Sequence, residues 1–219
     1  MQKKKSLRTQ KKDWTRNMIQ STAKELFFEK GYANCTIGDI SESVGISKGL
    51  LYSYFKNKDD LYLSLMRPVL NEIKRTSEVF KGDVIAGKYK TGREVVMAFC
   101  KRYQDLYAFN REGIRIVQAY QQGDSIYSMS DEYRKELDRL TRENFEFAVS
   151  IVEACIERGL LPNKNPRLLM EVFWGIFIGM IQIDESRYRA TRNNHIMEML
   201  ELSFTAICDG IFPKSPEKE

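Results

Sequence analysis

The sequence predicts an all-α protein in which a small N-terminal helix-turn-helix module precedes a larger helical domain. Apolar residues recur at helical spacing along most of the 219 residues, and strand-like alternation and internal repeats are absent. Two short helical segments near the N-terminus are separated by a glycine turn, which is typical of a helix-turn-helix. A hydrophobic content of 42% is enough for one large domain or two modest ones.

The positive charge is concentrated at the N-terminus. Residues 1–60 contain twelve Lys/Arg and seven Asp/Glu, whereas residues 61–219 contain 23 of each. Because Lys and Arg displace counterions from phosphates, this asymmetry indicates a module that binds a polyanion and a body that does not. The first twelve residues hold six cations and no acid, which predicts a flexible basic arm; a solvated tail is the alternative. The cations are Lys3, Lys4, Lys5, Arg8, Lys11 and Lys12.

Cysteine and histidine usage argues against metal, redox and catalytic chemistry. No two cysteines have the short spacing of a zinc site or a redox motif, and His195 is the single histidine. No Gly-rich phosphate loop and no nucleophile with a neighbouring base is recognisable. We therefore expect no catalytic residue, no metal, no cofactor and no enzyme activity, in a reducing cytoplasm. The cysteines are Cys35, Cys100, Cys155 and Cys208.

The most apolar stretch, residues 168–183, predicts a buried helix. It is sixteen residues long and includes Glu171, which is short of the roughly twenty residues that span a bilayer. The basic N-terminus is not followed by the unbroken apolar run of an export signal. We therefore expect a cytoplasmic protein without a membrane partner.

Capping signals divide the N-terminal module into helices. Thr36, with an acid three residues later at Asp39, marks the N-cap of a helix of about two turns. Gly45 supplies a tight turn, and Ser47 can cap the next short helix. The predicted helices cover residues 13–30, 37–44, 48–55 and 58–80.

The third of these helices has one apolar row and two rows suited to DNA. Leu51 and Phe55 lie one turn apart and predict the row that anchors the helix. Lys48 with Tyr52, and Leu50 with Tyr54, form the other rows, whose ammonium and phenol groups can bind phosphate oxygens. Gly49 predicts a close approach between backbones. For Tyr52 and Tyr54, the alternative to DNA contact is packing between the first and fourth helices.

These residues resemble the DNA-binding domain of the tetracycline-repressor (TetR/AcrR) family of bacterial transcriptional regulators. The resemblance runs from about Asp13 to Asn71 and rests on three spaced patterns. They are Ala-Lys-Glu-Leu-Phe at 23–27 followed by Gly-Tyr, Thr-Ile-x-Asp-Ile at 36–40, and Ser-Lys-Gly-x-Leu-Tyr-x-Tyr-Phe-x-x-Lys at 47–58.

The resemblance implies which side chains meet DNA. Thr36 and Lys58, at helix starts, are expected to bind phosphates. Lys48, Tyr52 and Tyr54 are expected to bind phosphates or base edges. Leu50 departs from the Thr, Ala or Ser that the family more often has; it can contact a thymine methyl group but cannot hydrogen-bond to a base. The full expected set is Thr36, Ser47, Lys48, Gly49, Leu50, Tyr52, Tyr54 and Lys58.

The rest of the chain predicts further helices and no second motif. Glycines and prolines separate helices over residues 93–110, 115–122, 131–158, 166–187 and 194–211, with a loop over 81–92. The predicted domains are a basic arm (1–12), a helix-turn-helix domain (13–73, motif about 36–55), an effector-binding and dimerisation domain (74–212) and a tail (213–219). The effector-binding and dimerisation roles are implied by the resemblance.

The helices at 166–187 and 194–211 are the candidates for a dimer interface. The first is apolar nearly all round, which indicates that one side faces its own core and the other a partner. A purely intramolecular core is the alternative. The interface residues we expect are Val172, Phe173, Ile176, Met180, Leu200, Ser203 and Ile207.

An aromatic stripe in the body predicts an effector pocket. Phe99, Tyr103 and Tyr107 share one helix face, so they can line an apolar cavity with hydroxyl groups for hydrogen bonding. Ordinary core packing is the alternative. The pocket residues we expect for a small apolar or aromatic effector are Phe99, Tyr103, Tyr107, Tyr120, Phe145, Trp174 and Phe177.

Together these features predict a homodimeric transcriptional regulator that binds double-stranded operator DNA. By the family's pattern it is a repressor, released from a palindromic operator by the effector. The alternative is a DNA-anchored regulator whose C-terminal domain binds a protein partner instead of a small ligand.

Overall fold

The computed structural model describes residues 7–121, 128–191 and 195–212, and within these ranges the regular secondary structure is entirely helical. The all-α prediction is therefore confirmed. Caps and glycine turns set many of the helix ends, as the sequence indicates. The helices are α1 (Leu7–Asn34), α2 (Ile37–Val44), α3 (Lys48–Tyr52), α4 (Lys58–Ile85), α5 (Gly92–Phe109), α6 (Arg111–Gln121), α7 (Asp131–Glu157), α8 (Pro166–Thr191) and α9 (Ile196–Ile211).

Some helix boundaries differ from the prediction. Helix α1 begins at Leu7, so Arg8, Lys11 and Lys12 of the predicted arm are exposed on a helix, while the first six residues lie outside the described ranges. Helix α4 continues to Ile85, five residues into the predicted loop. In α1 helix-compatible residues continue without a breaker, and in α4 the single Gly82 does not end the helix, because one glycine costs only about 1 kcal/mol.

The chain forms two compact units. The first comprises the described residues of Met1–Val69 and Glu112–Leu140, and the second those of Leu70–Arg111 and Thr141–Glu219. Residues 112–140, which the sequence assigned to the body, thus group with the N-terminal helices. An ion pair between Lys24 and Glu112 and a 3.4 Å hydrogen bond from the Tyr62 hydroxyl to the Ile116 carbonyl contribute to this grouping. Such contacts join residues far apart in sequence, which local patterns cannot reveal.

An aromatic cluster forms the core of the second unit. The rings of Tyr103 and Phe177 stack with centroids 4.6 Å apart, and Phe99 and Phe204 each pack on Phe173 at 5.0 and 5.7 Å. All five side chains are buried. Burying so much aromatic surface contributes strongly to stability, and the ring contacts fix how α5, α8 and α9 pack.

Helix α8 is less buried than the sequence predicted. By length and composition alone, Pro166–Ser186 is apolar enough to cross a membrane, and 22% of its most apolar window is buried. One face, with Phe173 and Phe177, lies in the core, while Leu168 and Val172 on another face are 57% and 51% exposed. The inner face is buried in the core as predicted, and the outer face, which was predicted to meet a partner, is exposed in the single chain.

Candidate nucleic-acid interface

A glycine turn joins the two short helices α2 and α3. Gly45 has φ 76° and ψ 34°, a left-handed conformation that favours glycine, and its N–H donates to the carbonyls of Glu42 and Ser41. Ser47 then caps α3 by accepting a 3.1 Å hydrogen bond from the Leu50 N–H. The turn and the cap together fix where α3 begins, and α3 is the helix predicted to enter the major groove.

Helix α3 ends at Tyr52, three residues before the predicted end, and residues 53–54 follow as a turn. The helix and the residues just after it separate anchoring residues from solvent-facing residues. Leu51 and Phe55 are buried at 0% and 1% exposure, as predicted. Leu50 and Tyr52 are 43% and 52% exposed. Among the other expected DNA contacts, Ser47, Lys48 and Gly49 are exposed and Tyr54 is half-buried. The predicted contact residues of α3 therefore lie mainly on one open surface.

The Lys48 ammonium lies over the start of α2. A Cβ atom placed on Gly38 would come within 3.3 Å of Lys48 Nζ and of Thr36 Oγ1, so the glycine leaves room for the lysine side chain. Lys48 forms no ion pair within the described residues. An ammonium beside a helix start adds to the positive end of the helix dipole, and both attract an anion. This position suits contact with a phosphate.

Thr36 and Asp39 form the capping box that the sequence predicted. The Thr36 hydroxyl accepts from the Asp39 N–H at 3.1 Å, and the Asp39 carboxylate accepts from the Thr36 N–H at 2.8 Å. The hydrogen bonds from Thr36 and from Lys30 hold the pKa of Asp39 well below its usual range. Because the Thr36 hydroxyl also donates to Asp39, its direct role is to cap α2, and phosphate binding by this side chain stays a prediction.

Lys58 differs from its predicted role. Its ammonium donates to the carbonyls of Tyr32 at 2.8 Å and Cys35 at 3.0 Å, and it lies 4.2 Å from the centroid of the Tyr32 ring. Burial lowers the pKa of this lysine. The side chain is directed at carbonyls around the end of α1, so it is not turned outward to a phosphate. Carbonyl oxygens left unpaired at a helix end attract a cation, which explains the difference.

Two further residues of the module refine the sequence-based interpretation. No local pattern marks Arg16, yet its guanidinium lies 4.4 Å from the Phe55 ring centroid and donates to the Tyr54 carbonyl at 3.3 Å. This contact supports the buried side of the segment that contains α3. Arg16 and Phe55 are far apart in the sequence, so a local pattern cannot predict the contact. The prediction for Gly49 is wrong: the nearest atom to a Cβ placed there would be Ser47 Oγ at 4.0 Å, so no backbone approaches closely.

The residues predicted to line an effector pocket do not come together as one cavity. Tyr120 belongs to the first unit, where its hydroxyl donates to Asp138 at 2.6 Å. Phe99, Tyr103 and Phe177 fill the aromatic core of the second unit, Tyr107 is also buried there, and Phe145 and Trp174 are half-buried. For Phe99, Tyr103 and Phe177, the structure therefore matches the alternative of ordinary core packing. Within the described residues, the Tyr103 hydroxyl is buried without a hydrogen-bond partner.

The residues predicted for a dimer interface divide into two groups. Phe173 and Leu200 are fully buried in the second unit, so their assignment to an interface is wrong: they pack inward against their own core. Val172 is exposed, and the remaining four are half-buried. An apolar pattern all round a helix does not tell which side faces inward, and this explains the error. The half-buried residues are Ile176, Met180, Ser203 and Ile207.

Comparison with known proteins places this geometry in a family. The model of bacterial regulatory proteins of the tetR family matches residues 19–65. The chain is 21% identical over 189 residues to the uncharacterized HTH-type transcriptional regulator YhgD of Bacillus subtilis, covering 85% of this chain and 93% of that protein.

Solved structures show the same fold. A putative fatty acid metabolism regulator from Clostridium perfringens superposes with a TM-score of 0.68 at 20% identity, covering 90% of this chain and 100% of that one. The structure of AibR in complex with isovaleryl coenzyme A and operator DNA gives a TM-score of 0.65 at 15% identity, with coverage of 92% and 100%.

The family match and the exposed surface coincide. Residues 19–65 include all of α2 and α3 and the parts of α1 and α4 that hold them. The proteins that the chain resembles are transcriptional regulators and not enzymes. The chain therefore carries the DNA-binding domain of the tetR family of bacterial regulatory proteins and is a DNA-binding transcriptional regulator.

Proposed function

We propose that the protein is a cytoplasmic, homodimeric repressor that places α3 in the major groove of a palindromic operator and leaves the DNA when a small effector binds. The observation that carries the proposal is the open surface of α3. Leu50 and Tyr52 are exposed there beside Lys48, while Leu51 and Phe55 hold the helix from behind. Apolar and phenolic groups next to an exposed ammonium suit a groove, where methyl groups and phosphates lie close together.

The outer face of α8 supports the homodimer. Leu168, Val172 and Ile183 lie on this helix at 57%, 51% and 44% exposure. Apolar side chains concentrated along one helix are typical of a surface that another molecule covers. A second copy of the chain is the simplest partner, because a two-fold dimer presents two α3 helices to successive major grooves about 34 Å apart. This spacing requires an operator of two inverted half-sites.

The core of the second unit supports a small-molecule effector. A buried hydroxyl without a partner is costly, so the orphaned Tyr103 hydroxyl among aromatic rings suits a polar group brought by a ligand. AibR was solved with both isovaleryl coenzyme A and operator DNA, and a related fold thus accommodates both kinds of ligand. If the effector weakens operator binding, the operator weakens effector binding by the same factor. The sign of regulation, repression, is carried over from the family resemblance.

A selection experiment tests the DNA-binding surface. Purified protein is mixed with fragments of the source genome at physiological salt, and the retained fragments are sequenced and footprinted. We expect one or a few fragments with an inverted repeat to be retained by the wild type and to be released by Lys48→Ala/Tyr52→Ala. Lys74→Ala, which removes an exposed lysine outside the α3 surface, serves as the matched control and should retain them. Failure of the wild type to retain any fragment at low salt would overturn the proposal.

A further inference from the structure

A cleft between α4 and α5 in the second unit has an unbalanced charge. It encloses about 280 Å³, and its lining includes Arg75, Asp83, Lys101, Arg102 and Asp105. Four of these five have an opposite charge within reach: Arg75 pairs with Glu72 at 2.6 Å, Asp83 with Lys88 at 2.6 Å, and Lys101 with Asp105 at 2.6 Å. Arg102 has no carboxylate within 4.0 Å among the described residues.

The Arg102 guanidinium is held by neutral groups. It donates to the Ile73 carbonyl at 3.2 Å, to the Thr76 hydroxyl at 3.3 Å, and to the hydroxyl of Ser77, all on α4. The side chain is half-buried, and burial lowers the pKa of this arginine. An arginine that is partly desolvated and unpaired costs free energy, and a planar guanidinium is well suited to a two-point contact with a carboxylate.

The rest of the cleft is mainly apolar. Val79, Phe80, Tyr89 and Ala98 complete the wall beside the arginine. Phe80 packs edge-on against Tyr89 and against Phe99, with centroids 5.5 and 4.7 Å apart, and so links the cleft wall to the aromatic core. The volume lies just below the roughly 300–1,000 Å³ of pockets for drug-sized ligands, so only a small ligand fits.

From the unpaired Arg102 in this cleft, we propose that the second unit binds a small organic carboxylate, with its carboxylate on the guanidinium and an aliphatic or aromatic body against Val79, Phe80 and Ala98. Carboxylate binding at this site does not depend on the function proposed above. The assignment of this carboxylate as the effector rests on that proposed function. A carboxylate competes for the N–H groups that Arg102 now gives to Ile73, Thr76 and Ser77. The ligand thereby changes the contacts of α4, the helix that begins at Lys58 in the DNA-binding unit.

Binding is tested on the full chain without DNA, so failure of DNA binding does not affect the result. Benzoate and hexanoate, with benzamide and hexanamide as neutral matches, are titrated by ligand-observed NMR. We expect the carboxylates to bind at or below about 1 mM and at least about tenfold more tightly than the amides. Arg102→Gln should weaken carboxylate binding at least about tenfold. Lys101→Gln, which removes the neighbouring cation that pairs with Asp105, should change this binding less than about threefold.

A stability measurement separates a ligand-binding arginine from a structural one. Arg102→Lys keeps a positive charge and a donor for the α4 acceptors but loses the planar two-point geometry, so the melting temperature without ligand should change little while carboxylate binding weakens. A clear fall in the melting temperature together with unchanged carboxylate binding would show that Arg102 serves the fold and would overturn the proposal. Equal binding of acids and amides, absence of carboxylate binding, or full binding by Arg102→Gln would also overturn it. The effector role is then tested by whether benzoate or hexanoate weakens binding of the selected fragment by wild type but not by Arg102→Gln.

Discussion

The carboxylate of Asp59 accepts two hydrogen bonds from Ser130, one from its N–H at 3.1 Å and one from its hydroxyl at 2.6 Å. The Tyr32 hydroxyl donates to the other carboxylate oxygen. Asp59 is 9% exposed and lies in the first turn of α4, Tyr32 follows the Gly31 kink of α1, and Ser130 directly precedes α7. One carboxylate thus joins three separate segments of the first unit.

The first prediction concerns this carboxylate. Asp59→Asn replaces one charged acceptor oxygen by an amide nitrogen that faces donors, so we expect the free energy of unfolding to fall by about 1–3 kcal/mol. Guanidinium chloride unfolding followed by circular dichroism measures the change. Asp60→Asn is the control, since this half-buried neighbour accepts one hydrogen bond from the Lys56 N–H at 2.9 Å. Destabilisation of equal size in the two variants would contradict the role assigned to Asp59.

The second prediction separates Lys58 from Lys48. Lys58→Met removes the ammonium that binds the carbonyls around the end of α1, so we expect the free energy of unfolding to fall by about 1–2 kcal/mol. The salt dependence of DNA binding, measured by anisotropy well below the melting temperature, should not change. Lys48→Met should show the reverse: nearly unchanged stability, and a slope of log K against log salt that is shallower by about 0.9 for each phosphate that is no longer neutralised. A shallower slope for Lys58→Met would restore this lysine to the DNA-binding surface.

Local sequence signals predicted the DNA-binding unit well. Thr36, Ser47 and Gly45 act as caps and turn residues through contacts with residues at most five positions away. Such contacts can be predicted from a short stretch of sequence. The burial of Leu51 and Phe55 was also predictable locally: α3 ends at Tyr52, but the Phe55 N–H still donates to the Leu51 carbonyl at 3.1 Å, which keeps the two side chains on one side.

Contacts between distant residues were not predictable in the same way. Lys58 meets carbonyls 23 and 26 positions earlier, and Asp59 meets Ser130 71 positions later. The sequence alone does not show whether a charged residue at a helix start binds an outside partner or another part of the same chain. For the same reason, Phe173 and Val172 were both assigned to the interface, although the first is fully buried and the second is 51% exposed.

The third prediction concerns the orphaned hydroxyl in the aromatic core. Tyr103→Phe removes a buried polar atom that has no partner among the described residues, so the free energy of unfolding without ligand should stay the same or increase by about 1 kcal/mol. Tyr107→Phe is the matched control on the same helix, because its hydroxyl donates to Asp184 at 3.4 Å and its removal should be neutral or destabilising. Thermal and denaturant unfolding measure both. A clear fall in the stability of Tyr103→Phe would mean that this hydroxyl is satisfied in solution.

The fourth prediction is a decrease in stability at high pH. Burial raises the pKa of Tyr107 from 10.0 to about 12, so the folded chain keeps a proton that the unfolded chain releases. The resulting stabilisation is fully present below pH 10 and disappears as the pH rises toward 12, at up to about 1.4 kcal/mol per pH unit. In Tyr107→Phe the dependence of unfolding free energy on pH should be shallower by up to that amount. Identical slopes between pH 10 and 12 would contradict the raised pKa.

The fifth prediction concerns the outer face of α8. A dimer through this face buries Val172, so Val172→Glu places a charge in an apolar interface and should lower the dimerisation affinity at least about a hundredfold. Analytical ultracentrifugation over a range of concentrations measures this change. Phe109→Glu is the control, because it adds the same charge in place of an apolar residue that is 54% exposed at the end of α5.

DNA binding provides an independent measure of the same interface. A monomer holds one α3 helix, so it cannot engage the second half-site and forfeits most of the affinity for an inverted repeat, while its affinity for a single half-site is unchanged. Val172→Glu should therefore bind the full repeat and an isolated half-site with similar affinity, whereas wild type and Phe109→Glu should strongly prefer the repeat. If Val172→Glu remains dimeric and keeps that preference, the apolar face of α8 is not the dimer interface, and the exposed Leu168, Val172 and Ile183 must face a different molecule.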